Sequence, residues 1–430
     1  MFMLESRLSA DQNRVLEQVQ AAACAAGVNL FLTGGGVRDV LGGFQVRDLD
    51  FSVEGNALKV ARALEEAGAR TLAVDENRRA AELVFAGGVT AQLSMSRKER
   101  YAKTGARPQV TAATIQEDLR GRDFTIDAMA LSLNRASRGL LLDPTNGLAD
   151  LGRREMRSTH AYVFYDDPAR LLRLNRLRVR LSFTVEERTR MQYDNARAAH
   201  IETLIPARTR LEELKHIAAE PSPVEVLQAL DADELLTVFS PALAGSGLNL
   251  PGLLRLEKAY KLVKSANLAL EPQFGAFLLA LTANMTPKER NSLFKYIEMP
   301  KTEIDEIRNP EPRARKLEQA LKSARVKKPS HVYRLLVSAP SDEVVFLLGN
   351  SVQRQVQERI RNYLQKYLPA IKEVPSTLWQ GIEGKPGSPK YNRSLQAFLA
   401  SRLDVRPRKP VEPEAESIRP VEALSRGRVR

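Results

Sequence analysis

Cysteine is almost missing from this chain. Its 430 residues include one, Cys24, in an alanine-rich helical stretch. That excludes a disulfide framework, and Cys24 reads as a small buried apolar side chain. Histidine is scarce as well. His160, His200, His216 and His331 are scattered without zinc-ligand spacing, and each reads as a surface or helix-end residue. No apolar run reaches about eighteen residues, and the opening MFMLESRLS has no signal-peptide pattern. No membrane role is expected; a soluble cytoplasmic protein is. No fixed repeat period occurs either. What is plentiful is positive charge. Lys and Arg number 65 against 52 Asp and Glu, a net charge of +13 with a pI near 9.8. That balance favours a polyanionic partner such as nucleic acid. The length allows roughly two to four domains with proper cores.

The chain is organised around residues 31–54, FLTGGGVRDVLGGFQVRDLDFSVE. The order reads as strand, glycine turn, short helix, loop, strand. Gly34-Gly35-Gly36 offers backbone angles closed to other residues and room for a phosphate. The short helix expected from Val37 presents free N–H groups that favour an anion. In a strand, Asp48 and Asp50 share one face while Leu49 and Phe51 take the other. Alone, a glycine triplet is usually a turn, and an Asp-x-Asp pair is usually a solvated strand edge. Side by side, two carboxylates next to a phosphate cradle suit Mg²⁺ ions that also hold substrate phosphates.

This stretch resembles the signature of the nucleotidyltransferase superfamily, and most closely the class II tRNA nucleotidyltransferase / bacterial poly(A) polymerase family. Gly34-Gly35-Gly36-Val37-Arg38-Asp39 matches that family's GG-x-VRD turn, and Asp48-Leu49-Asp50 its Asp-x-Asp strand. Residues 114–130 (TIQEDLRGRDFTIDAMA) look like its R-R-D-F-T-x-N-A-M-A motif. There Arg122 and Asp123 would hold the nucleotide's phosphates and ribose. Two positions depart: Gly121 replaces the first arginine, for which Arg120 is a stand-in, and Asp127 replaces the usual asparagine. Residues 143–151 (DPTNGLADL) resemble a structural D-P-x-x-G-x-x-D-L turn. Asp166, Asp167 and Arg170 resemble the E-D-x-x-R base-reading motif, with Arg173 one turn further on. At the opening of one helix all three would meet on one face, and helix capping is the plainer reading of the two aspartates. A further R-x-x-x-E spacing is met by Arg208 and Glu212, shifted by one from Glu213-Leu214. Residues 97–110 (RKERYAKTGARPQV) resemble the family's flexible loop, with a similar R-x-E-x-Y run.

Around these motifs the expected fold is α+β. Ser9 and Gln12 form a capping-box pattern before a helix reaching about Ala26. Asn56 caps a helix over 57–67. Strands are expected over 71–74, 81–85 and 90–94, the last two joined at Gly87-Gly88. Leu171, Leu174, Leu177 and Leu181 form a core stripe of the long helix after Pro168, and 184–199 is the next helix. From about 220 everything reads helical: 223–235, 252–266, 273–281, 287–297, 312–324 and 351–367. A basic stretch contains Arg313, Arg315, Lys316, Lys322, Arg325, Lys327, Lys328 and Arg334, which is either a solvated face or an RNA phosphate contact. Residues 384–391 read as a loop and 405–430 as a disordered basic tail.

The expected organisation is therefore a mixed-sheet nucleotidyltransferase head over 1–150 with flanking helices, and an all-α remainder. That remainder divides into a base-recognition neck over 151–219, an RNA-binding body over 220–404 and the tail. The resemblance covers residues 29–215. It implies template-independent addition of C and/or A to the 3′ end of an RNA, most closely tRNA, from CTP and ATP. Asp48 and Asp50 would bind two Mg²⁺ ions; Gly34, Gly35 and Arg38 would neighbour the phosphates. Poly(A) addition to other RNAs, transfer to a small molecule, and a catalytically silent RNA-binding protein are the alternatives.

Overall fold

A computed structural model of the chain describes residues 2–265, 274–308, 310–374, 382–383 and 388–404. The expected tail over 405–430 and residues 384–387 of the expected loop lie outside the described residues. The chain divides into two compact units, Met1–Tyr260 with Leu270–Glu311 and Lys261–Ala269 with Pro312–Arg430.

The first unit opens with α1 (Phe2–Arg7) and α2 (Ala10–Ala26). The capping box is present: Ser9 Oγ accepts from Gln12 N at 3.2 Å, and Gln12 Oε1 accepts from Ser9 N at 2.9 Å. Cys24 departs from expectation, because it is exposed. The helix buries Val15, Leu16, Val19 and Ala23, so Ala23 takes the last inward position and turns its neighbour to solvent.

Seven strands form a mixed sheet: β1 (Asn29–Thr33), β2 (Leu49–Glu54), β3 (Arg70–Asp75), β4 (Ala80–Val84), β5 (Thr90–Met95), β8 (Ala130–Ser132) and β9 (Leu141–Leu142). Their order is β3-β4-β5-β2-β1-β8-β9, with β2 and β5 parallel and the other pairs antiparallel. Alternation explains β2: Leu49, Phe51 and Val53 share one face and are fully buried, while Asp50, Ser52 and Glu54 take the other. Helix α4 (Ala57–Glu66), capped by Asn56, packs with α2 beside β4 and β5. Helix α5 (Ile115–Arg120) lays Ile115 and Leu119 on Phe31 and Ala130. Register places Thr33 opposite both Asp50 and Ala130.

Two expectations change here. The glycine triplet is not a loop: α3 runs Gly34–Gly42, so all three glycines form its first turn. Residues 97–110 are not a flexible loop throughout: β6 (Arg97–Arg100) and β7 (Gln109–Ala112) pair as an antiparallel ribbon. The four residues of β6 are all charged, so no apolar alternation marked that arm as strand.

After α6 (Gly147–Arg153) the unit becomes helical: α7 (Val163–Asp166), α8 (Arg170–Leu181), α9 (Glu187–Ala198) and α10 (Ala207–Ala218). The leucine stripe of α8 is buried as expected. Helix α9 starts later than expected, because Thr184–Val185 pairs with Glu155–Met156 as strand and Glu186 caps the helix. Beyond Val185 no strand occurs among the described residues, and helices fill both units. No helix among the described residues is long and apolar enough to cross a membrane.

Candidate active site

The site begins where β1 turns into α3. Gly34 has φ +64°, and a Cβ there would sit 3.1 Å from Arg122 Nη1 and 3.3 Å from Asp50 Oδ2. Only glycine meets both demands. Asp50 is half-buried on β2; Asp48 lies one residue before the strand and is exposed. Burial, and then the charge of Asp48, pushes the Asp50 carboxyl up from 3.8 to about 6. Arg122 joins this end, donating to Ser52 Oγ at 3.1 Å and to the Asp127 carbonyl at 3.3 Å. Arg38 does not reach the cavity. Its side chain is 3% exposed and lies 2.8 Å from Asp39 and 2.6 Å from Asp127.

A cavity of about 350 Å³ runs from Thr33, Asp50, Arg122 and Asp127 at one end to Asp123, Asp167, Arg170 and Arg173 at the other. At the second end Asp123 faces Arg170 Nε at 2.6 Å and also pairs with Arg173. Burial alone would raise the Asp123 carboxyl, but the two guanidiniums hold it well below the usual range. Asp167 Oδ1 accepts from Ala169 N at 3.1 Å, and its other oxygen lies 3.9 Å from Arg173. Burial raises the Asp167 carboxyl, against the pull of Arg173 and Arg170.

Asp166, Asp167 and Arg170 do not share one helix face. Asp166 closes α7 and lies 3.7 Å from His160, outside the cavity lining. Asp167 is extended, φ −134° and ψ 101°, because Pro168 disfavours a helical residue before it. The shifted spacing is also corrected. Arg208 and Glu212 form an exposed surface pair, whereas Glu213 is buried 3.2 Å from Arg173 and 3.4 Å from Arg176. One residue further along α10 turns a side chain by about 100°, onto the face of the buried Leu214 and Ile217. Arg120 is exposed and bonds its own helix at Gln116 O, so it does not stand in for the arginine lost at Gly121. Replacing Glu213 by alanine removes a buried acid shared by Arg173 and Arg176, leaving Asp123 to the first and Glu220 to the second. A loss of about 1–3 kcal/mol is expected by thermal or urea unfolding.

Residues 143–151 are structural in two ways. Asp143 accepts from Gly147 N and Leu148 N at 2.7 and 3.0 Å, capping α6. Asp150 is buried and takes side chains instead of backbone: Thr125 Oγ1 at 2.8 Å and Arg157 Nε at 3.0 Å. Sequence reading missed one wall of the cavity altogether. Arg78, Arg97, Glu99 and Tyr101 line it, with Glu99 accepting from Tyr101 Oη at 2.6 Å and Arg97 Nε at 2.7 Å. The available signal was their spacing of two, which puts Arg97, Glu99 and Tyr101 on one face of β6 and its extension.

Asp48 and Asp50 fit a divalent cation. They are hard oxygen donors, close enough for one charge to raise the other's proton affinity, and a cation relieves that repulsion. No group of three or more His, Cys, Asp or Glu side chains gathers as a metal cage among the described residues. Mg²⁺ is commonly held by one or two carboxylates together with substrate phosphates. In the second unit, Lys328 and Arg334 of the basic stretch line a cavity of about 410 Å³ with His331 and Arg393.

The comparisons bear on this geometry. The sequence over residues 30–157 matches the model of the poly A polymerase head domain. Curated relatives of this chain include an A-adding tRNA nucleotidyltransferase of Aquifex aeolicus, 29% identical over 83% of this chain and 43% of that protein. A CC-adding tRNA nucleotidyltransferase of Deinococcus radiodurans is 35% identical over 53% of this chain and 57% of that protein. The chain thus spans about half the length of the curated relatives it matches. Among solved structures, the Thermotoga maritima CCA-adding enzyme complexed with tRNA aligns with TM-score 0.52 and 24% identity, covering 95% of each chain. A CCA-adding enzyme in complex with ATP aligns with TM-score 0.56 and 23% identity over 94% of each. At that identity the likeness is one of fold, and it extends past the head domain into the helical part.

Proposed function

We propose that the chain is a template-independent RNA nucleotidyltransferase adding C and/or A to the 3′ end of tRNA in the cytoplasm. The observation that carries this reading is one cavity with Asp50 and Arg122 at one end and the Asp123–Asp167–Arg170–Arg173 cluster at the other, with Asp48 two residues before Asp50. Residues 1–150 form the catalytic head, 151–219 the base-recognition neck, and 220–404 the RNA-binding body. The relatives' printed activities, A-adding and CC-adding, support the choice of ATP and CTP as substrates and of tRNA as acceptor.

Asp48 and Asp50 would hold two Mg²⁺ ions. Bound there, the ions lower the pKa of the RNA 3′-hydroxyl and offset charge on the leaving pyrophosphate. Gly34 and Gly35 leave room for the phosphates beside the first turn of α3, and Arg122 supplies the cation that reaches them. Arg38 acts at one remove, fixing that turn through Asp39 and Asp127. Asp123 holds Arg170 and Arg173 in place; Asp167 and Arg170 read the base edge. Asp166 lies beyond this group, beside His160.

The deciding experiment offers the protein tRNA lacking its terminal nucleotides, unrelated RNA, and each NTP singly, followed by 3′-end sequencing. C or A on tRNA alone supports the reading; A tracts on both RNAs point to poly(A) addition; no addition with RNA still bound points to a silent binder. The net charge of +13 carries a further expectation. If about six phosphates are contacted, tRNA affinity falls roughly a thousandfold between about 50 and 200 mM salt. A salt-independent dissociation constant in a filter-binding series would remove the phosphate-contact role of the body.

A further inference from the structure

One buried acid gathers three arginines that the reading above leaves unused. Glu220 follows α10, and its side chain is 3% exposed. Arg176 Nη1 donates to its Oε1 at 3.0 Å. Its Oε2 lies 3.5 Å from Arg47 Nη1 and 3.9 Å from Arg180 Nε, and has no hydrogen bond of its own. Arg176 continues through Glu213 to Arg173 at the base-reading end. Arg180 continues to Asp39 of α3 at 3.1 Å. Arg47 has a different importance, because it immediately precedes Asp48. Residues 44–48 have no helix or strand to fix them. Val46 is tied by Gln12 Nε2 to its carbonyl at 3.1 Å, and Arg47 is tied to Glu220.

We propose that Glu220 is a positioning residue for Asp48. Acting through Arg47, it holds the segment that carries the outer carboxylate of the metal pair. Acting through Arg176, it joins that segment to the helix that carries Arg170 and Arg173. The inference rests on Asp48 and Asp50 being the metal carboxylates, and its test is arranged so that the two fail separately.

The test compares the full-length wild type with Glu220→Gln and Arg47→Gln and their double variant. Mn²⁺ binding is read by electron paramagnetic resonance with ATP present and RNA absent; kcat and KM for CTP and ATP are measured alongside. Loss of a supporting partner commonly weakens metal affinity or activity by about ten- to a hundredfold. Each single variant should sit near the low end of that range, about tenfold in Mn²⁺ affinity and in kcat. KM for the nucleotides should stay within roughly twofold, because the base-reading residues keep their own partners. The double variant should be no worse than Glu220→Gln alone, since that change already removes the link to Arg47. Unchanged Mn²⁺ affinity in both variants, whatever their melting temperatures, overturns the proposal. Should Glu220→Gln fail to fold with three arginines left around a neutral amide, Arg47→Gln alone decides, since Arg47 is partly exposed. A wild type that binds Mn²⁺ yet extends no RNA would overturn the transfer reading and leave the role of Glu220 to stand on the binding result.

Discussion

Asp50→Asn or Asp50→Ala should abolish nucleotide addition and, in metal-free buffer at neutral pH, raise the melting temperature. The two effects have one cause. The folded protein holds the Asp50 carboxyl at about 6, against 3.8 ordinarily. Between those values the folded state binds more protons than the unfolded one, so stability falls as pH rises through that window. Above about pH 6 the full penalty is present. At about 1.4 kcal/mol per unit, and allowing for an open cavity, it amounts to about 1–2 kcal/mol. The variant escapes that penalty, so its advantage should vanish below about pH 4. Magnesium should raise the melting temperature of the wild type and leave that of the variant nearly unmoved. Loss of several kcal/mol of charge stabilisation at the reacting phosphate corresponds to about a thousandfold or more in rate. Asp48→Ala should lose activity similarly, with a smaller gain in stability because it is exposed. A variant pair that extends RNA at near the wild-type rate would sink the metal assignment.

Asp167→Ala should change which nucleotide is used. Cytosine and adenine each place an exocyclic amine beside an unprotonated ring nitrogen. A carboxylate accepts from the amine, and a guanidinium donates to the ring nitrogen. Uracil and guanine present a carbonyl and a ring N–H instead, so both contacts turn repulsive. Each unpaired polar contact costs about 1–3 kcal/mol, so two mismatches exclude UTP and GTP by roughly two to four orders of magnitude. Removing Asp167 removes attraction and repulsion together. Use of CTP and ATP should fall, and the relative use of UTP or GTP should rise roughly ten- to a hundredfold. The structure makes Asp167 the cleaner probe. Arg170 is buried against Asp123 at 2.6 Å and donates to Val163 O at 3.0 Å, so Arg170→Ala would also cost about 3–5 kcal/mol of fold. Competition among the four NTPs, read by 3′-end sequencing, decides. Unchanged preference with lowered stability would leave Asp167 as the cap of Ala169 N and nothing more.

Short-range chemistry was legible in the sequence. The Ser9–Gln12 capping box, the Asn56 cap and the Gly87-Gly88 hairpin depend on neighbours within a few residues, and all three form. The place of Asp48 and Asp50 at the head of β2, beside the glycine turn, was legible because both lie in one stretch. What failed were statements needing a helix phase or a partner far away. Glu213 and Glu212 differ by one position, and nothing local says which of them meets Arg173. Asp166 and Asp167 look equivalent until Pro168 splits the helix between them. Arg38 looked like a phosphate ligand until Asp127, 89 residues on, took its guanidinium. The asparagine-to-aspartate departure at that position thus has a partner, and the buried arginine has two acids.

The ladder of arginines on α8 also sets an order of events on the ribosome. Asp48 and Asp50 are made early, while Glu213 and Glu220 emerge more than 160 residues later. At about 5–20 residues per second the interval is on the order of ten to thirty seconds. For about the first half of that time β1 has no β8 to pair with, and until its end Arg173 and Arg176 have no acid from α10. The nascent chain therefore carries its repelling carboxylates well before the charges that lock their surroundings.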